Sequence, residues 1–530
     1  MSAASTPMAA GPTKYDERYA WRVLLILAAM AIMVTYVETM VLPAFSNFES
    51  FFGVTDASTI AWILSAYLLV GVVVTPIFGK LGDIYGKKKI LLVAMGVYAI
   101  AVTVAGFSPN IGAAFGLARS NQIYVLILVR AVQGVGMAMF PLGFAMLPEI
   151  FPPARVGQAQ GLLSGMFATG AAAGLVGGGW IAQTYGWPLT YHTVIPVAIV
   201  VFVLAAVFIR ESTIRLARKI DIPGVTSLGL GLTFLMLGIT EGAYWGWTNF
   251  SAIHWGGLAW GVPQFFILAV IAFGVFFYWE PRAPSPVVSF SALKERNIWI
   301  SNVNGIFVGM AMFLLFTVLI ILGEYPSPGF GLSELNAALV FIPAVLSMMV
   351  TGPFLGRGIS RFGPKPVMIL GFLMIFIGAI GLIALHGTPI EVAVWAVPIM
   401  VGNVATLISM SNIIVLSVDP KTMGVQTGMN QTFRNLGSAL GPVLVTSILA
   451  SYAFTQEPFP GFYFVNYHVA GYQVVFGLTA AIGVVGAVLS LGLRNFKFLA
   501  DGTRSGSASA APDPTAKDAD VPPVAASSRP

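Results

Sequence analysis

A chain of 530 residues with 9% charged side chains, 57% hydrophobic ones and a mean hydropathy of +0.86 cannot wet its own surface. Soluble domains carry about 25% charged residues, so most of this surface must face lipid. The lack of cysteine excludes disulfides, thiolate nucleophiles and cysteine-bound metal, and the four histidines (His192, His254, His386, His468) include no pair at ligand spacing, so no metal site is expected.

In chain order, residues 1–20 are polar without an apolar signal region, so they are expected to form a tail, and the first span to direct insertion. A membrane-crossing helix needs about 20 predominantly apolar residues. Such runs fall at roughly 22–44, 57–79, 88–108, 123–147, 158–183, 190–210, 222–243, 258–279, 298–322, 334–356, 366–386, 392–417, 428–454 and 471–493. The pattern predicts an all-α polytopic membrane protein with 14 transmembrane helices, and shows no β-barrel alternation. From about Ser505 the chain is rich in Ala, Ser, Pro and Asp, and 495–530 is expected to be a disordered tail.

Charge fixes the orientation. With the N-terminus inside, the basic residues collect in the segments between even- and odd-numbered spans: Lys80 and Lys87 to Lys89, Arg210 to Lys219, Arg357 to Lys365. Of the 27 basic residues only Arg119 falls outside, where Glu49, Asp56, Glu241, Glu324, Glu334, Glu391 and Glu457 lie; Arg130 and Arg434 sit within predicted spans. The positive-inside rule then places both termini in the cytoplasm of a multi-pass protein of the cell membrane. The net charge of +6 is explained by topology, and no nucleic-acid partner is expected.

The chain repeats itself. Gly157, Gly161, Gly170 and Gly174 around span 5 recur at identical spacing as Gly424, Gly428, Gly437 and Gly441 around span 13. GKLGDIYGKKK at 79–89 recurs as GRGISRFGPKP at 356–366, with Ser360 in place of Asp83. Spans 1–6 and 9–14 are therefore expected to be two pseudo-symmetric six-helix bundles in the same orientation, at 21–210 and 297–494. Residues 211–296 then hold a basic linker and an inserted helix pair. Two parallel repeats are a transporter architecture, with the substrate site between the halves.

These stretches resemble those of a known family. GKLGDIYGKKKILL is similar to the signature loop between spans 2 and 3 of the major facilitator superfamily, RAVQGVGMA at 130–138 to its span 4 motif, and GLLSGMFATGAAAGLVGG at 161–178 to the span 5 motif of its antiporters. Fourteen spans and the EGAYWGW run after span 7 resemble its fourteen-spanner drug:proton antiporter branch. The likeness covers nearly the whole chain except the tails. It departs in two places: Leu175 stands where the family has proline, and ETMVLP after Glu38 is shorter than the family's run.

Several residues carry candidate chemistry. Glu38 is the one carboxylate within a span of the first bundle, so it faces an aqueous cavity or a partner, or else is a wetted acid at the outer mouth. Arg130 shares a helical face with Gln133, Gly134 and Met137; it is a fixed charge that tunes a nearby acid, or an anchor for helix carbonyls. The resemblance implies proton coupling for Glu38 and Arg130. In the signature loop, Gly79 and Gly86 are expected to allow a tight turn and Asp83 to cap or pair with a neighbouring helix, with Lys87 and Lys88 on the inner side. Gly161, Gly170, Gly174, Gly178 and Gly179 form a small-residue face on span 5, for sliding or for packing. In the second half, Asn302, Asn403, Thr406, Asn430, Gln431 and Arg434 are polar stripes that line a cavity or bond between helices, and Gln133 and Met137 join them as cavity candidates.

No phosphate-binding GxxxxGK[ST] run occurs, so no cofactor is expected and the proton gradient is the expected energy source. The expected function is not enzymatic: a proton-coupled antiporter, acting as a monomer, that exports amphipathic drugs or other small organic compounds by alternating access. An importer of a polar metabolite with the same fold is the alternative, and a receptor without transport a third class.

Overall fold

The structure is a computed structural model that describes residues 16–54, 57–212, 221–255, 258–284, 286, 288, 290, 292–417, 423–459, 462–495, 497–498 and 504–505. Arg215, Arg218, Lys219 and Lys421, and the tail from 506, lie outside the described residues.

Helix α1 (Glu17–Thr39) opens where the Asp16 carboxylate accepts from the Tyr19 N–H at 3.1 Å, a side-chain cap for an otherwise orphaned donor. A turn through Pro43 leads into α2 (Phe45–Phe52), closed by Gly53 in the left-handed region. Next come α3 (Ala57–Tyr85) and α4 (Lys87–Gly106), and only Gly86, at φ +108°, separates them. The stretch expected to be a loop is therefore helical at all but one residue. Gly79 makes no turn: it lies inside α3, where a Cβ would meet nothing within 4 Å. The bend in α3 falls earlier, between Thr75 and Ile77, and no proline lies between Gly79 and Gly86, so the helix runs on to Gly86. Gly82 instead makes the close approach, since a Cβ there would stand 2.5 Å from Leu142.

The first half continues with α5 (Ser108–Ala114), α6 (Gln122–Gln133), α7 (Met139–Ile150), α8 (Pro153–Tyr185) and α9 (Trp187–Phe208). Predicted span 4 is α6 plus α7, joined by a tighter 3-10 turn over Gly134–Ala138. Then follow α10 (Ile222–Trp245) and α11 (Val262–Trp279), with a small hairpin between them, β1 (Ile253–Trp255) and β2 (Leu258–Trp260). The span expected from 258 thus begins at Val262, after an extended Gly261 and before Pro263. The second half is α12 (Arg296–Glu324), α13 (Glu334–Phe362), α14 (Pro364–Ala384), α15 (Pro389–Ser417), α16 (Met423–Ser451) and α17 (Val469–Leu491). A second hairpin, β3 (Ala453–Phe459) with β4 (Phe462–Tyr467), fills the connection before α17 and was not expected from the sequence. Among the described residues, 13 helical spans are long and apolar enough to cross a membrane, and bent α3 brings the number to 14.

Packing repeats as the glycines do. On α8, Cβ atoms at Gly170, Gly174 and Gly178 would meet the α1 backbone at Ile32, Tyr36 and Met40, one turn apart each time. On α16, Gly437 and Gly441 lie against Ile306 and Phe313 of α12 in the same way. Bare backbone at these positions lets the axes close to van der Waals contact. Between the halves, α3 packs on α16 and α13 packs on α8; exchanging the halves maps one seam onto the other. Helix α10 packs on α11 and also on both α3 and α16, so the inserted pair lies along one seam. Gly363, at φ +85°, is the sole residue between α13 and α14, the counterpart of Gly86.

Candidate functional site

Glu38 sits near the end of α1 with 6% of its surface exposed, so it is not a wetted acid at a mouth. Its carboxylate makes no hydrogen bond among the described residues. Its charge partners are Arg434 first and Arg130 second, one from each half. A lone carboxylate in an apolar bundle is tolerated because two fixed cations offset its desolvation.

The two arginines are held differently. Arg130, fully buried on α6, donates from Nε to the Ile63 carbonyl of α3 at 3.0 Å and from Nη1 to Gln133 Oε1 at 2.8 Å. Its guanidinium lies 4.5 Å from the centre of the Tyr67 ring, a cation–π contact. Its Nη2 has no partner among the described residues, nor do the buried hydroxyls of Tyr67 and Tyr191, which lie in its field, as does Tyr98 beside Gln133. Arg434 of α16 is half-buried and lies 5.2 Å from the ring of Phe167 on α8, across the interface between the halves. Phe167 in turn stacks on Phe140 at 4.1 Å. Arg130 is thus fixed by carbonyl and amide, whereas Arg434 rests on an aromatic face.

The other polar candidates are engaged in bonds of their own. Asn430 Nδ2 donates to Asn302 Oδ1 at 3.3 Å and to the Ser301 carbonyl at 3.2 Å, tying α16 to α12. Gln431 Nε2 donates to Asn435 Oδ1 at 2.7 Å. Asn403 and Thr406 are fully buried and donate back to their own helix, to Ile399 and to Gly402 and Asn403. Met137 packs against α3, where a Cβ on Gly71 would overlap its sulfur.

The end that carries the basic residues is laced together within the first half. Lys87 pairs with Glu149, and its Nζ lies 3.9 Å from Asp83 Oδ1. Lys88 Nζ donates to the Ala206 carbonyl at 2.7 Å. The first backbone N–H groups of α4, at Lys88 and Lys89, donate to Glu211 at 3.0 and 3.1 Å. The acid at the N-terminus of α4 is Glu211, just beyond α9, while Asp83 of α3 pairs with Lys87 in the first turn of α4. A Cβ on Gly86 would strike the Glu211 carboxyl at 2.5 Å, so this turn needs glycine for space as well as for φ. Arg155 pairs with Glu17. Of the span 5 glycines, Gly179 lies against the Glu334 carbonyl of α13, 2.9 Å from where its Cβ would be. Gly161 lies in α8, and its surroundings are outside the described residues.

The opposite, acidic end joins the halves directly. Asn47 Nδ2 of α2 donates to Glu334 Oε1 of α13 at 2.7 Å, and the Tyr325 hydroxyl donates to Glu49 Oε1 at 2.6 Å. Leu335 N–H donates to Gln183 Oε1 at 3.2 Å. Sequence reasoning saw Glu49 and Glu334 only as acids that mark the outside. Their partners, Tyr325 and Asn47, lie in the other half of the chain, and no local pattern joins them.

Comparison with known proteins settles the family. A family model described as Major Facilitator Superfamily matches residues 25–442. The chain belongs to the Major Facilitator Superfamily. It is a membrane transporter of small molecules, not an enzyme. It is 28% identical over 441 residues to the "Tetracenomycin C resistance and export protein" of Streptomyces glaucescens, covering 81% of this chain and 76% of that one. It is 25% identical to "Multidrug resistance protein 3" of Bacillus subtilis, covering 82% and 80%. Among solved structures, the human organic anion transporter MFSD10 superposes with a TM-score of 0.60 at 13% identity, covering 89% of this chain and 99% of that one. The xylose transporter XylE of E. coli superposes with a TM-score of 0.60 at 12% identity, covering 90% and 98%. At such identities the superpositions carry the fold alone.

Proposed function

We propose that this transporter is a proton-coupled antiporter of the fourteen-spanner branch that exports amphipathic organic compounds from the cell. The observation that carries this reading is Glu38, a buried carboxylate whose charge interacts with Arg434 of one half and Arg130 of the other. Ionised, it neutralises cations on both sides of the interface. Protonated, it leaves them unscreened and weakens the attraction between the halves. One proton thereby changes the energy of the same contact that alternating access must make and break.

In this reading the basic end is cytoplasmic, both termini lie inside, and the acidic-end bonds close the outer side. A proton from outside protonates Glu38 and is lost inside as substrate is taken up beside Arg434 and Phe167. The export direction is supported by what the relatives' names say of them, resistance and export. The gradient is the only energy source the cycle needs, and one chain holds the whole site.

Reconstitution tests it. In vesicles with an imposed pH difference, a panel of dyes, antibiotics and lipids should reveal a substrate that moves against its gradient. Glu38→Gln should keep substrate binding and lose the pH-driven component. Undiminished driven transport in that variant would remove Glu38 from the coupling role, and uptake driven in the opposite direction would favour an importer.

A further inference from the structure

The inserted helix pair contains two carboxylates that the central site does not use. Asp221, 6% exposed, caps α10, and Glu280, fully buried, follows the last turn of α11. One oxygen of each is satisfied. Asp221 Oδ1 accepts from the Gly224 N–H at 3.1 Å and the Trp279 indole N–H at 2.7 Å, and Glu280 Oε1 accepts from the Val288 N–H. The other oxygens, Asp221 Oδ2 and Glu280 Oε2, are buried with no donor among the described residues. Both converge on one point above Gly224, where a Cβ would stand 2.3 Å from the first and 2.5 Å from the second. The two side chains are within hydrogen-bonding reach of each other.

Two buried acceptors facing one another have no donor among the described residues, and two like charges so placed repel. A single proton between them supplies the donor and leaves a pair with one negative charge. Among the described residues, the charged groups acting on Glu280 are Asp221 and Lys80 of α3, so the net charge of the pair is balanced from the neighbouring helix. Gly224 is the residue that makes room, since any side chain there would overlap both oxygens.

We propose that Asp221 and Glu280 form a proton-binding site, separate from Glu38, that ties the two inserted helices to each other beside the seam between the halves. The bound proton joins the start of α10 to the end of α11. Helix α10 then lies along α3 and α16, with its Gly229 against Val73 of α3. Release of that proton to solvent leaves two ionised carboxylates in contact, and their repulsion drives the start of α10 and the end of α11 apart.

The test is infrared difference spectroscopy of the purified full-length protein in lipid nanodiscs, titrated through neutral pH in the absence of substrate. A protein with Glu38→Gln, Glu49→Gln and Glu324→Gln, which lacks the other enclosed carboxyls, should still show a band from a protonated carboxyl. Adding Glu280→Gln, or separately Asp221→Asn, should abolish it, because the new amide N–H replaces the proton. The same two variants should flatten the fall of Tm with rising pH, since an amide donor cannot be titrated away. A band that survives both added substitutions would overturn the proposal. So would a missing band together with a Tm that rises with Na⁺ or K⁺, which would assign the site to a metal cation. Loss of the Glu38 reading leaves this outcome unaffected, because Glu38→Gln is present throughout.

Discussion

Breaking two of the side-chain bonds that join the halves at the acidic end should open that end. The perturbation is Asn47→Ala with Tyr325→Phe, which removes the 2.7 Å bond to Glu334 and the 2.6 Å bond to Glu49 without touching the central charges. Hydrogen bonds to charged groups contribute about 1.5–3 kcal/mol each. At the low end the pair is worth about 3 kcal/mol, and each 1.4 kcal/mol is a factor of ten, so the closed population should fall about a hundredfold relative to the open one. A protein about 99% closed at this end would become an even mixture. Because the chain has no cysteine, Tyr185→Cys and Ile390→Cys can be spin-labelled without first removing others. Both positions are exposed, at 61% and 76%. Pulsed dipolar spectroscopy between the labels should show a single short distance in the parent and an added longer one in the double variant. An unchanged distribution would mean that these bonds form equally in both states, and the reasoning would fail.

Two further outcomes follow from close packing. Gly174→Ala sets a methyl 2.4 Å from the Tyr36 carbonyl, backbone that cannot yield, so it should cost about 1–3 kcal/mol and lower the Tm in detergent. Gly165→Ala on the same helix, where nothing lies within 4 Å, should leave Tm unchanged or raise it, and serves as the control. Gly86→Ala should destabilise the turn through its positive φ and displace Glu211 from the N-terminus of α4. Its signature is faster amide hydrogen exchange at Lys88 and Lys89.

What the sequence disclosed and what it withheld divide along a physical line. A span is a run of about 20 apolar residues, so it is written locally, and the repeat shows because glycine spacing is one-dimensional too. Glu38, Arg130 and Arg434 stood out because a charge within an apolar run must be satisfied by something. Which charge satisfies which is a three-dimensional matter. The Tyr325–Glu49 bond spans 276 positions, and Asp221 meets Glu280 only because α10 and α11 lie side by side. The signature stretch erred in a different way. Its glycines were read alike, yet Gly86 turns the chain, Gly82 admits Leu142 and Gly79 meets nothing, because only the neighbours decide what a missing Cβ does. The β3–β4 hairpin escaped because it is a short amphipathic piece between two long apolar runs.

The two seams are equivalent by the repeat but not by what surrounds them. The α3–α16 seam is covered by α10, whereas the α8–α13 seam holds a cleft of about 210 Å3 lined by Ala172, Leu175, Val176, Phe341, Val345 and Leu346, all apolar. Apolar contact is non-directional, so helices can shift along such a seam and exchange one packing partner for another at little cost. Hydrogen bonds are directional and are lost within a fraction of an ångström. At the acidic end of this seam, Glu334 accepts from Asn47 of α2 and the Leu335 N–H donates to Gln183 of α8. Those bonds act as catches at that end, and breaking them costs more than sliding along an apolar contact. In the cycle proposed above, proton occupancy of Glu38 acts on Arg130 and Arg434 and not on these catches. On that proposal the two can be tuned independently, one setting the drive and the other the gate.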